Sequence, residues 1–142
     1  MMNRMLAALG VMSALATTSA VGQTNIKQGG APPVPISALV ADLKASAPQT
    51  RNAAAYQLAG MGPAAAPAVP ALIEALQDPA PSVRFPVTVA LREIGPAAKA
   101  AIPALQKVVQ DDISDEVAAA ARQAIKAIDP SALPKAGKPD DD

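Results

Sequence analysis

The chain has 142 residues, twelve acidic and twelve basic side chains, no cysteine and no histidine; its hydrophobic share is 51%, of which 35 residues are alanine, and aromatics make up 1%. The even charge balance speaks against a nucleic-acid partner or a polyacidic one, and the missing residue types exclude disulfides, thiolate nucleophiles, imidazole bases and His- or Cys-based metal centres. Bulky apolar side chains are scarce, so the core is expected to be thin.

Met1–Arg4 makes a short positive start, Met5–Ala16 an apolar run of twelve residues, and Thr17, Thr18, Ser19 and Ala20 a small-residue end. That order predicts a signal peptide over residues 1–20, cut after Ala20, with a cut after Gly22 fitting nearly as well. A spanning helix needs about 20 apolar residues, so cleavage is expected rather than an uncleaved membrane anchor, which is the alternative. Export to the bacterial periplasm or the exterior follows, with no membrane insertion after cleavage. Residues 21–35 hold Gly29, Gly30, Pro32, Pro33 and Pro35 without apolar periodicity and are predicted to be a flexible tether. Residues 129–142 carry three prolines and the run Asp140-Asp141-Asp142, the pattern of a disordered acidic tail that aids solubility.

Between tether and tail, residues 36–128 repeat. A spacing of 33 pairs Arg51 with Arg84, Leu58 with Leu91, Gly62-Pro63 with Gly95-Pro96, Leu72 with Leu105 and Asp78 with Asp111. The same offset backwards sets Leu72, Ile73 and Leu76 on Leu39, Val40 and Leu43, and an offset of 34 sets Val83, Val87, Leu91 and Ile94 on Val117, Ala121, Ile125 and Ile128. One extra residue near Asp112–Ser114 accounts for the change of offset. A fixed period in this range marks units that cannot bury their apolar faces alone and must stack on neighbours.

Within a unit, apolar positions 83, 87, 90, 91 and 94 fall on one stripe of a helix with 3.6 residues per turn. First helices are predicted at 36–44, 67–77 and 100–110, second helices at 48–61, 81–94 and 115–128. Pro48 and Pro81 stand where a first-turn proline is tolerated, Ser114 precedes Asp115 and Glu116 as an N-cap, and Gly-Pro pairs end two of the second helices. The expected fold is an all-α superhelix of about three helical hairpins. Pro86, a turn inside its helix, predicts a kink or a helix start delayed to Phe85.

The stretches Val83-Arg84, Ala90-Leu91, Ile94-Gly95-Pro96 and Ala101-Ile102-Pro103-Ala104-Leu105, leading to Asp111-Asp112, resemble HEAT repeats of the short bacterial type, which are similar to the HEAT-like repeats of phycobilisome lyases. The resemblance implies a short solenoid of antiparallel helix pairs that presents a ridge to other proteins, with the second-helix layer on the concave side. It implies no catalytic residue and no cofactor, and nothing beyond the repeat matches the bilin-attaching chemistry of the lyases. Two positions depart from the pattern: Ala118 replaces the arginine after Val117, and Thr50 the valine before Arg51.

The recurring arginines and aspartates predict a ladder of Arg–Asp contacts between neighbouring units. Asp111, Asp112, Asp115 and Glu116 cluster at one hairpin but lack the spacing and glycine of a calcium loop, so no metal is expected. Rotating by 100° per residue, the face away from the apolar stripe holds Phe85, Thr88, Val89 and Arg92, aligned with Asn52, Ala55, Tyr56 and Ala59 and with Ala119, Arg122, Gln123 and Lys126. Exposed aromatics and arginines favour binding hot spots, so Tyr56, Phe85, Val89, Arg92, Arg122 and Lys126 are the candidate protein-binding residues. Ile36, Leu39, Val40 and Leu43 have no preceding unit, which predicts that this end packs on a partner, a second copy in a weak homo-oligomer, or the tether. The functional expectation is an exported, non-catalytic protein–protein interaction or scaffold module of the cell envelope; the alternatives are an accessory structural subunit of a larger complex and, further off, an enzyme like the bilin lyases.

Overall fold

The computed structural model describes residues 33–134. The signal-peptide expectation, the tether up to Pro32 and the acidic run at 140–142 lie outside the described residues. The folded unit begins at Val34.

The helices are α1 (Ile36–Asp42), α2 (Pro48–Met61), α3 (Val69–Ala75), α4 (Pro81–Ile94), α5 (Ile102–Asp111) and α6 (Asp115–Ile128), with tight 3-10 segments at Gly62–Ala68, Gly95–Ala101 and Pro130–Ala132. No strand occurs among the described residues. Helices α1 and α2, α3 and α4, and α5 and α6 form successive hairpins. The largest contacts run along the second-helix layer, from α2 to α4 and from α4 to α6. The units lean on one another chiefly through that layer.

Local chemistry sets the boundaries. Pro48 and Pro81 open α2 and α4 after extended alanines, with the ring fixing φ where no amide partner is needed. Ser114 caps α6 by accepting from the Val117 amide at 3.4 Å, and Asp115 and Glu116 in the first turn suit the positive end of the helix dipole. Gly62 and Gly95 stop α2 and α4 at φ 57° and 74°, where a side chain is strained. A Cβ added at Gly62 would meet nothing nearer than the Glu93 carbonyl oxygen at 3.8 Å, and one at Gly95 nothing within 4 Å. The demand for glycine is therefore conformational. Replacing either by alanine should cost about 1–3 kcal/mol, read as a lower urea midpoint; unchanged midpoints would show that the turn relaxes without strain.

After each glycine, prolines at 63, 67 and 96 and a string of alanines wind the chain into a 3-10 lead-in before the α-helix proper. The first helices of units two and three, expected from 67 and 100, thus begin as α-helix at Val69 and Ile102. Ala65, Ala68, Ala98 and Ala101 in these lead-ins are fully buried, and small side chains let the hairpins approach closely. The stretch Pro48–Ala75 has the length and apolar composition of a membrane span, yet the glycine at 62 interrupts it and much of its apolarity is alanine.

The core follows the repeat. Leu39, Leu72 and Leu105 align in the first-helix layer, and Leu58, Leu91 and Ile125 in the second; all six are at most 1% exposed. The first unit is better covered than its sequence suggests. Leu39 and Leu43 are 1% and 4% exposed because α2 and the segment Gly62–Ala68 pack on α1, and only Ile36 and Val40 remain half-buried. At the other end the packed chain continues past Ile128: Asp129 accepts from the Ser131 amide, Leu133 packs on the core and Gln106 donates to the Ala132 carbonyl at 2.8 Å.

Pro86 does not delay the helix start, since α4 runs unbroken from Pro81 to Ile94 with the proline buried inside it. The Ser82 carbonyl, which an amide at position 86 would have bonded, instead accepts from the Asn52 side-chain amide of α2. Two neighbouring units share the repair.

Candidate functional site

The Arg–Asp ladder exists, with one rung displaced. Arg51 clasps Asp78 through Nε at 2.6 Å and Nη2 at 3.1 Å, while Nη1 donates to the Ala45 and Ser46 carbonyls. Arg84 repeats the arrangement one unit on, but with Asp112 at 2.7 and 2.9 Å rather than with Asp111, which is exposed. The reason is where the extra residue sits. Asp78 accepts from the Ala80 amide and Asp112 from the Ser114 amide, so these two are equivalent and the insertion lies before Asp112, in the last turn of α5. Each arginine also donates into the preceding interhelix loop, Arg84 to the Asp78 and Pro79 carbonyls. The ladder ties three loops together and is structural.

Burial alone would push the Asp78 carboxyl up, but the hydrogen bond from Arg51, the Ala80 amide and the charges of Arg51 and Arg84 together hold it below the ordinary range. For Asp112 the hydrogen bond from Arg84 dominates; burial opposes it, and the Ser114 amide and the Arg84 charge add to it, again with a lowered pKa. Among the described residues no group of three or more acidic side chains is placed to hold a metal ion.

The candidate docking residues divide. Tyr56 is 49% exposed, and Arg122 and Lys126 are exposed on α6. Phe85, Val89 and Arg92 are half-buried, with the Phe85 ring packed against the core. Arg92 grips Glu93 at 2.7 and 2.9 Å and reaches the Gln123 side-chain oxygen of α6 at 3.5 Å. Tyr56 and Phe85 line one groove of about 370 Å³ across the second-helix layer, with Asn52, Ser82, Glu116 and Val117 among its walls. Val89, Arg92, Arg122 and Lys126 are not part of that groove.

Two residues expected on the outer face are not there. Ala55 and Thr88 are fully buried, and the Thr88 hydroxyl is satisfied by donating to the Phe85 carbonyl at 2.6 Å. They lie in the seam between adjacent second helices, which the apolar stripe of a single helix does not reveal. Arg122 occupies the aligned position on α6, the last helix among the described residues, and is exposed there.

A second groove contains none of the candidate docking residues. It holds about 350 Å³ between the first helices of units two and three, lined by Leu76, Ala104, Val108 and Pro79 and rimmed by Gln77, Lys107 and Asp111. The equivalent groove one unit earlier is about 170 Å³, with Lys44 and Glu74 among its walls, paired at 3.3 Å. At the aligned positions Gln77 and Lys107 form no such pair. Ile113 beside the larger groove is 97% exposed; an isoleucine in an interhelix loop was the only signal for it.

A stack of helical hairpins tied by repeated arginine–aspartate clasps defines an α-solenoid repeat protein. The chain belongs to the HEAT repeats: the model of that family matches residues 36–126, well over half its length. No match was found among curated proteins. HEAT repeats generally mediate contacts between proteins, and the chain is of that interaction or scaffold type.

Proposed function

We propose that this protein is an exported, non-catalytic docking module of the cell envelope, and that its partner protein is held on the outward face of the second-helix layer by Tyr56, Phe85, Val89, Arg92, Arg122 and Lys126. The observation that carries the reading is the half-exposed Tyr56 ring beside a groove floored by Phe85, in a molecule with only these two aromatic side chains. An exposed aromatic costs solubility and contributes little to folding, whereas at an interface it supplies area at low entropic cost. Export rests on the leader pattern of residues 1–20.

Tyr56→Ala should leave the helical signal and thermal midpoint nearly unchanged while weakening partner capture from envelope extracts at least tenfold, the loss usual for an aromatic hot spot. Full capture by the variant, or loss of its fold, would remove this ring from the docking face. Phe85→Ala should lower both capture and stability, because the ring touches the core. Terminal sequencing of the protein recovered from the periplasm should start at Val21 or Gln23; an intact Met1 in a membrane fraction means that the leader is an anchor.

A further inference from the structure

The second helices are stacked so that their outward residues form rows: Asn52, Phe85 and Ala119; then Tyr56, Val89 and Gln123; then Ala59, Arg92 and Lys126. The rows follow the repeat offset; the long Arg92 side chain reaches across from the third row to Gln123 in the second and ties α4 to α6. Charge along the layer is not even. The first unit offers only uncharged residues in these rows, the second Arg92, and the third Lys126 together with Arg122, exposed at the position aligned with Ala55 and Thr88. Arg92 is held by Glu93, whereas no carboxylate among the described residues forms an ion pair with Arg122 or Lys126. Two like charges one turn apart weaken a helix slightly. A polar end cap explains hydrophilic residues on the last helix, and Lys126 in its last turn suits the helix dipole, but neither accounts for two cations that share this face without a carboxylate paired to them.

We infer that the occupant of this face is a peptide segment of a partner protein with an apolar or aromatic anchor for the Tyr56–Phe85 groove and carboxylates for Arg122 and Lys126. This rests on the docking reading above and adds the chemistry of the partner. Neighbouring helices lie roughly 9 Å apart and each residue rises about 1.5 Å, which sets the Phe85 and Arg122 backbones about 10 Å apart and those of Phe85 and Lys126 about 14 Å apart. An extended chain advances about 3.3 Å per residue, so the carboxylates belong three to five residues from the anchor. Glu116 on the groove wall repels an acid placed on that side and gives the segment one direction.

The test is selection of displayed random twelve-residue peptides on the full mature chain, followed by titration of one enriched peptide. Enriched sequences should carry Asp or Glu three to five residues from an aromatic or large aliphatic residue. Replacing both cations, Arg122→Glu with Lys126→Glu, alters only exposed side chains and should turn the enrichment to Lys and Arg. Neutralising both to alanine should weaken the titrated peptide about fivefold, and 0.5 M salt should weaken binding to the parent chain by a similar factor. Peptides that depend on Tyr56 but ignore the charge reversal overturn the acidic partner and leave the docking face standing. Peptides indifferent to Tyr56→Ala overturn both readings, as does selection that enriches nothing. Removing residues 135–142 should not change the affinity; tighter binding without them would make Asp140–Asp142 the occupant and overturn an external partner.

Discussion

Arg84→Ala should destabilise the folded chain by about 3 kcal/mol, the lower end of what breaking a buried ion pair costs. The Arg84 and Asp112 side chains are 13% and 4% exposed, so the truncation leaves a carboxylate with little water and only the Ser114 amide to accept from. It also frees the Asp78 and Pro79 carbonyls that Arg84 Nη1 had bonded. A domain of this size has about 5–15 kcal/mol in all, and a loss of about 3 kcal/mol should lower the thermal midpoint by more than about 10 °C. Replacing both partners together, Arg84→Met with Asp112→Leu, should be milder than the single change, because no charge is stranded. A double variant as unstable as the single one would place the effect in lost loop carbonyl bonds instead.

The same clasps set the acid limit. Asp78 and Asp112 have folded-state pKa values below their unfolded values, so their contribution is fully present above the unfolded carboxylate pKa of about 3.9. It is lost as pH falls through the lower folded values. Stability should therefore be flat with respect to these groups from about pH 5 upward and fall below about pH 4, with Asp112→Asn showing a shallower fall. An acid profile identical in the variant would show that this carboxylate is not held low.

Leu91→Ala is expected to cost about 3–4 kcal/mol, within the range of fully buried leucines. Leu91 is 0% exposed in the last turn of the middle second helix, aligned with Leu58 before it and Ile125 after it. Much of the surrounding core is alanine, including Ala54, Ala90, Ala121 and Ala124, and alanines have no rotamers with which to fill the cavity. Leu91→Met, which keeps the volume, should cost less than about 1.5 kcal/mol. Urea titration followed by the helical signal decides between these; a loss below about 1 kcal/mol for the alanine variant would mean that the stack collapses into the space.

Most of the fold was legible because its period is written in large residues. Leu39, Leu72 and Leu105 recur at one spacing, and glycine is the one residue suited to the backbone at 62 and 95. Less legible was whatever depends on a neighbouring unit. The sequence offsets set the inserted residue near Asp112–Ser114 and so paired Asp78 with Asp111; the matching Asp–amide turns place it before Asp112 instead. Ala55 and Thr88 point away from the apolar stripe of their own helices and still vanish into the seam with the next. Phe85 looks free on a helical projection, but its ring reaches the core. The larger first-helix groove exists because Gln77 and Lys107 stand where Lys44 and Glu74 pair, a difference that acquires meaning only once the two grooves are superposed.

Mutual support among the hairpins is the basis of both fold and docking face, and native-state amide exchange reads it residue by residue. The slowest amides should be those of Val87–Ile94 in α4, which is covered on both sides, exchanging only through unfolding of the whole stack. Protection in α2 or α6 should be equal or lower, and lowest in α1 and the Pro130–Ala132 turn. Hairpins that open independently, with α4 no better protected than α1, would contradict a fold held together between its units.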